Sequence, residues 1–459
     1  MIDVFDKCLA LAFSLMILVQ AYLARRYVGT WLVPACLFGL FWFGFTFIPL
    51  AILFWVPAHP AAIAFLFLCT LAFSMGSLPF NWKTAIERNA LKRETTALVY
   101  GSPFLKVVFY LSTVASLVFL TLNLFAQGFS LHDLFFDLYA SAAAYANLHF
   151  SESLNVHIFD RLSILCSYLG VILGGFLLPS MPTNTGRRAI VVLSFLPSIF
   201  VAVTQSAKGH LFFCIVFFYA GLLVYRVSTG TLSLFDKGRI RSLTLCVAVL
   251  IAIVTVSFLG RGLYTIDDSE DLIRKLVSYY SSYSFGHIYA FSDWFAFFIG
   301  KHSELVYPQE SATHGFYTFM ALFELMGSHK VVPMGVFDDY YSYGDLLTGN
   351  IYTMFRGLIL DFGLIGSVLF MLATGFLLHL SFHAMLRNKR PVFTVAVFVL
   401  MMGYFYGSFI ISVLVWINIY VTFVLLWMVL QINKVITQMG RRRSAPPEPL
   451  VAPVPCLRS

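Results

Sequence analysis

Apolar residues run along this chain in long blocks, separated by short polar and charged stretches. A helix needs roughly 20 consecutive apolar residues to cross the hydrocarbon core of a bilayer. By that measure the pattern predicts eleven spans, at about 8–24, 31–55, 60–79, 103–127, 161–181, 188–205, 209–226, 242–259, 357–384, 391–409 and 412–432. All must be helical, because lipid offers backbone N–H and C=O groups no partner. Two polar stretches exceed simple turns. Residues 128–160 include Phe129-Ser-Leu-His-Asp-Leu-Phe-Phe-Asp-Leu-Tyr139, with apolar positions at helical spacing, and predict a helix lying in the membrane interface. Residues 260–355 form a loop of 96 residues. Within it, Asp271–Tyr283 predicts an amphipathic helix with Glu270–Arg274 and Asp271–Lys275 pairs. A loop of that length in a compact chain is usually functional.

The expected architecture is therefore an all-α polytopic membrane protein of about eleven transmembrane helices. Helices 1–8 occupy residues 1–259, the large outer loop 260–355, and helices 9–11 residues 356–432. The tail 433–459 is basic and Pro-rich (Ala445-Pro-Pro-Glu-Pro449), and is expected to be disordered past Arg443. No internal repeat of the transporter kind is evident.

Composition agrees with the pattern. Of 459 residues, 59% are hydrophobic and 11% charged, with a mean hydropathy of +0.84. Soluble domains carry about 25% charged residues, so a soluble enzyme, a disordered chain and a disulfide scaffold are excluded. The acidic start, Met1-Ile-Asp-Val-Phe-Asp6, does not read as a signal peptide. The net charge of +8 suggests nucleic acid only until its distribution is drawn. One set of loops holds 21 of the 30 basic residues and four of the 22 acidic ones. Basic loops stay cytoplasmic, so the N-terminus is predicted outside and the C-terminus inside, with no nucleic-acid partner. All seven Cys lie in spans or on the inner side, so no outer disulfide is expected. No CxxC, HExxH or P-loop pattern occurs, and no metal or nucleotide cofactor is predicted.

Candidate chemistry gathers at the predicted outer boundary, where charges near the membrane are expensive and usually functional. Lys208, in Thr204-Gln-Ser-Ala-Lys-Gly-His210, sits in the turn between spans six and seven. It reads equally as a snorkelling anchor or as a binding cation. Arg261 lies between Gly260 and Gly262 at the end of span eight, where missing side chains let a ligand approach. Arg356 sits at the mouth of span nine, with Tyr352 one turn before it on the same face. The alternative for Arg356 is a pair with Asp361. A five-residue offset puts the two about 140° apart on a straight helix, unless Gly363 or Gly366 kinks it. Asp361 reads as structural, holding Arg356 or capping a broken helix. Arginine grips phosphate bidentately at any working pH, and would stabilise charge developing on a diphosphate leaving group. The loop adds Phe285–Trp294, His314–Phe319 and Phe337–Asp345, mixtures of aromatics and acids that suit sugar binding or a membrane belt. His314, His287 and Asp293 are candidates for a general base; for each, a packed or solvated residue is the competing reading.

One segment carries a family resemblance. Asn350-Ile-Tyr-Thr-Met-Phe-Arg-Gly-Leu-Ile-Leu-Asp-Phe-Gly-Leu-Ile-Gly366 resembles the signature of bacterial oligosaccharide repeat-unit polymerases, the Wzy-type O-antigen polymerases. Tyr289-Ala-Phe-Ser-Asp-Trp294 and Gly315-Phe-Tyr-Thr-Phe319 are similar to further loop elements of that family, and the layout of spans agrees. The resemblance implies a metal-independent membrane glycosyltransferase of the bacterial inner membrane. Its donor and acceptor would be undecaprenyl-diphosphate-linked oligosaccharides, and its partners membrane lipids and a chain-length regulator. Arg261 and Arg356 then stand where diphosphate-binding arginines are expected, with His314 and Asp293 as further catalytic candidates. Lys208, His210, His287, Asn350, Tyr352 and Asp361 become substrate-binding candidates. Lys208 departs from the arginine expected there and lacks its bidentate fork. The alternatives are an O-antigen ligase, with similar topology and donor, or a lipid-linked sugar flippase. Scarce intramembrane charge speaks against the flippase.

Overall fold

The computed structural model describes residues 4–91, 97–150, 157–235, 240–261, 263, 266–308, 312–328, 330, 336–388 and 391–444. The Pro-rich tail and Gly262 lie outside the described residues. The chain is an all-α polytopic membrane protein. Eight of the described helices are long and apolar enough to cross a bilayer. They are α1 (Val4–Val28), α2 (Pro34–Ile52), α6 (Pro103–Ala126), α9 (Ile158–Leu177), α10 (Asn184–Thr204), α11 (Lys208–Ser228), α15 (Thr353–Arg387) and α17 (Ile417–Ser444). The other three predicted spans fall on α3 (Pro60–Met75), α12 (Ile240–Leu259) and α16 (Val392–Gly407), whose described apolar stretches are shorter. Short helices α4 (Trp82–Ala90) and α5 (Ala97–Tyr100) join α3 to α6.

Local sequence sets the helix starts. Pro34, Pro60 and Pro103 each occupy a first-turn position, where a missing N–H costs nothing. The Ser102 hydroxyl caps α6 by accepting from Leu105 N–H at 3.2 Å. The His59 ring caps α3 by accepting from Ala61 N–H at 3.3 Å. Buried polar pairs cross-link the helices, where lipid gives no hydrophobic drive. Ser14 and Thr46 hydroxyls meet at 2.6 Å between α1 and α2, and Gln20 donates to Thr70 O at 2.7 Å between α1 and α3. The crossing of α9 over α11 rests on Gly175 and Gly221: a Cβ on either would collide with backbone of the facing helix.

Among the described residues of the stretch 128–160, two helices precede α9 where one was expected, α7 (Leu131–Phe136) and α8 (Leu138–Phe150). They break at Asp137, whose φ and ψ of −126° and 44° are not helical. The long loop is more ordered than its polarity suggests. Helix α13 (Ser269–Phe298) runs 30 residues, past the predicted Asp271–Tyr283 segment. Its second half packs against α2, α3 and α15, so Tyr289, Phe291 and Trp294 are core residues at 0–2% exposure. On its exposed first half Arg274 pairs with Asp271 at 3.7 Å, three residues back, instead of with Glu270. Helix α14 (Phe316–Leu325) follows, then an antiparallel hairpin of β1 (Tyr341–Tyr343) and β2 (Leu347–Gly349), with Ser342 opposite Thr348. All of this lies at one end of the bundle, where the start of α1 also meets α13.

Candidate functional site

Helix α13 organises two cationic centres, one near each end of its buried face. The first is built by Lys208, Arg261 and Tyr283. Lys208 opens α11 and is 6% exposed. Its Nζ stands 3.9 Å from the Phe258 ring centroid and 5.5 Å from that of Tyr283. It makes no hydrogen bond or ion pair to a described residue. It therefore does not snorkel toward water. Arg261 donates to the Tyr283 hydroxyl and, at 3.2 Å, to Ser206 O, two residues before Lys208. Its guanidinium lies 5.2 Å from the same Tyr283 ring that flanks Lys208. Two basic side chains thus converge on one tyrosine, and Tyr283 is 40% exposed.

The second centre encloses Arg356, which is 0% exposed. Its Nη2 donates to the Asp339 carboxylate at 2.6 Å. The guanidinium is boxed by Phe337 at 4.0 Å, Tyr352 at 4.3 Å, Trp294 at 5.2 Å and Tyr307 at 5.5 Å. Burial pushes the Tyr352 phenol up to about 12, so it is a neutral wall. Tyr283 and Trp294 sit eleven residues apart on α13, about 16 Å along its axis. Arg261 and Arg356, both expected at diphosphate, thus stand at different parts of α13, and Arg356 is paired with Asp339 inside the protein.

The remaining residues of the Asn350–Gly366 segment are tied into the loop. Asn350 Nδ2 donates to Phe337 O at 3.1 Å, and the Tyr352 hydroxyl to Asp339 O at 3.0 Å. Asp361 does not meet Arg356. It caps α14, accepting from Thr313 Oγ1 at 2.5 Å, Tyr317 N–H at 3.1 Å, Thr318 N–H at 2.7 Å and Thr318 Oγ1 at 2.6 Å. Two residues on, Gly363 adopts φ 69° and ψ −179°, a break that separates the buried start of α15 from its membrane stretch.

Two candidates, His210 and His287, stand apart from both centres, whereas Asp293 adjoins the second through Tyr307. His210 points away from Lys208: its Nε2 meets Ser167 Oγ of α9 at 3.0 Å and its ring stacks on Tyr168. His287 is 1% exposed, its Nε2 on Phe45 O at 3.0 Å and its ring against Phe45 and Phe409. The Asp293 carboxylate accepts from Glu304 N–H, Leu305 N–H and the Tyr307 hydroxyl at 2.6, 3.3 and 2.9 Å. Burial nonetheless holds its pKa above the ordinary range. The His287 ring is packed in the core, and the Asp293 carboxylate is half-buried. His314 differs. It is exposed, makes no hydrogen bond to a described residue, and borders a cavity of about 630 Å³ beside Gly363 and Phe370.

Sequence reading missed Lys7, which is 1% exposed. Its Nζ donates to Leu53 O at 3.1 Å, Val56 O at 2.8 Å and Tyr289 Oη at 3.0 Å. The available signal was a lysine at the edge of an apolar run, one turn into the helix. Searches against protein-family models, curated proteins and solved structures find no match.

Proposed function

We propose that this protein is a bacterial membrane glycosyltransferase that polymerises undecaprenyl-diphosphate-linked oligosaccharide repeat units on the outer face of the inner membrane. One observation carries the reading: Lys208 and Arg261 converge at the loop-bearing end of the bundle, with the buried Lys208 amine answered by no described carboxylate. An ammonium taken from water without a counter-charge is costly. A bound anion offsets that cost, and a lipid diphosphate lying at the membrane boundary supplies two charged groups. The Asn350–Gly366 resemblance supplies the glycan class.

In the proposed reaction an acceptor hydroxyl attacks the anomeric carbon of the donor glycan. The bond from that carbon to the phosphate oxygen breaks, the hydroxyl proton passes to a base, and the diphosphate leaves on its lipid. Lys208 and Arg261 would stabilise the charge gathering on the leaving oxygen. Among the three base candidates His314 alone presents an uncommitted ring. Arg356, Asn350, Tyr352 and Asp361 would act indirectly, by fixing the loop to the bundle.

Deleting the gene in its host and resolving the surface polysaccharide and lipid-linked intermediates tests the reading. Core carrying a single repeat, with the ladder gone, is the expected result. Bare core with long lipid-linked polymer would indicate ligase, and bare core with single lipid-linked repeats held inside would indicate flippase. An unchanged ladder in a host with no second such gene would refute glycan polymer assembly altogether.

A further inference from the structure

A second opening, a cavity of about 390 Å³, lies between the start of α1, the turn before α3, α13, the turn after it, and β1. Small-molecule sites occupy roughly 300–1,000 Å³. Its walls are held rigidly. Lys7 binds two carbonyls and Tyr289, Asp293 takes three donors, and Ser292 Oγ accepts His59 N–H at 2.6 Å. Its rim is uncommitted. The side chains of Asp6, Lys301, His302 and Glu304 line the opening and make no hydrogen bond to a described residue. His59 adds a directed donor. Its Nδ1 accepts from Ala61 N–H, so Nε2 carries the proton of the neutral ring.

The charge pattern selects the ligand. The lining mixes the carboxylates of Asp6, Asp293 and Glu304 with the amines of Lys7 and Lys301 and the imidazoles of His59 and His302. A ligand of single charge, of either sign, meets a like charge there. A neutral ligand whose groups both donate and accept matches every one of them, and charged partners strengthen its hydrogen bonds. Hydroxyls have that dual character. We infer that this cavity binds an uncharged, hydroxyl-rich saccharide and, on the glycan-transfer reading above, that it holds the acceptor sugar. Asp293 and Tyr283 are ten residues apart on α13, about 15 Å along its axis. A short oligosaccharide, not one sugar, covers that distance, so cavity and cationic pair are separable sites.

The test uses the full-length protein in detergent and two probes: inorganic pyrophosphate, and the repeat-unit oligosaccharide cut from the host polysaccharide free of lipid and diphosphate. Saturation-transfer NMR and calorimetry report each. The double variant Asp6→Asn, His59→Asn keeps a capping oxygen at position 59. It is expected to lose saccharide affinity by about tenfold or more, or about 1.4 kcal/mol, with pyrophosphate binding and thermal stability at pH 8 unchanged. Arg261→Ala is expected to do the reverse. Wild-type protein that ignores the saccharide at millimolar concentration, or a double variant that binds it undiminished, would overturn the inference. Pyrophosphate binding indifferent to Arg261→Ala, beside intact saccharide results, would instead refute the diphosphate reading and leave the cavity assignment standing.

Discussion

Arg356 and Asp339 meet at 2.6 Å inside a box of four aromatic rings, seventeen residues apart in sequence. The arginine belongs to the buried first turn of α15 and the aspartate to the loop ahead of β1. The pair therefore latches the loop onto the bundle. Removing one partner of a buried ion pair costs about 3–5 kcal/mol, because the other charge stays behind. Arg356→Ala is expected to lower the melting temperature in detergent steeply. Arg356→Lys is expected to rescue it poorly, since an ammonium cannot stack flat between rings. A melt unchanged in Arg356→Ala, with activity lost, would place the guanidinium on substrate instead.

Lys208 predicts the opposite sign. Its rings contribute about 0.5–2 kcal/mol of cation–π attraction, while an unpaired buried ion is opposed by several kcal/mol of desolvation. The balance favours an apolar side chain of similar length. Lys208→Met should therefore melt at the same temperature or higher, yet lose pyrophosphate affinity about tenfold. Paired melting and calorimetry decide it. A destabilised Lys208→Met with full affinity would make Lys208 structural.

The apolar helices were legible because an 18-to-25-residue apolar run admits few structures. The same rule fails for α13. Phe285–Trp294 mixes aromatic residues with His287 and Asp293 and reads as part of the outer loop, but Tyr289 and Trp294 are buried at 0% and 2% because Lys7, Arg356 and other partners come from distant segments. Local pattern holds no trace of such tertiary pairing, which is also why Asp339 went unseen as the partner of Arg356. The separation of His210 from Lys208 was legible and unread: two residues on a helix point about 200° apart. The break at Gly363 was readable from glycine alone, whereas the four donors awaiting Asp361 were not.

His59 sets a pH dependence. Burial holds its pKa below the ordinary value of 6.5, with Asp6 opposing and Lys301 reinforcing that shift. The folded ring stays neutral where the unfolded ring takes a proton, so the unfolded state binds more protons just below that value. Stability therefore falls as pH drops through about 6.5, the ordinary histidine value, toward the lower folded pKa. Protonating Nδ1 also removes the α3 cap. Melting curves from pH 8 to pH 5 should decline less steeply in His59→Asn, which still caps but cannot titrate. Parallel curves for the two proteins would remove His59 from the acid sensitivity.

The kink at Gly363 and the cap at Asp361 form one device. With φ 69° and ψ −179°, Gly363 occupies a region essentially closed to other residues. An alanine there costs about 1–3 kcal/mol or straightens the helix. Straightening swings the buried stretch ahead of the kink, including Asp361, out of register with α14. Gly363→Ala and Asp361→Ala should therefore share a signature: faster amide exchange across Thr313–Leu325, where Asp361 holds Thr313, Tyr317 and Thr318. Exchange in α9 and α11, which the device does not touch, should be unchanged. If Gly363→Ala leaves α14 protected while Asp361→Ala exposes it, the kink and the cap are independent, and the glycine serves only the path of α15.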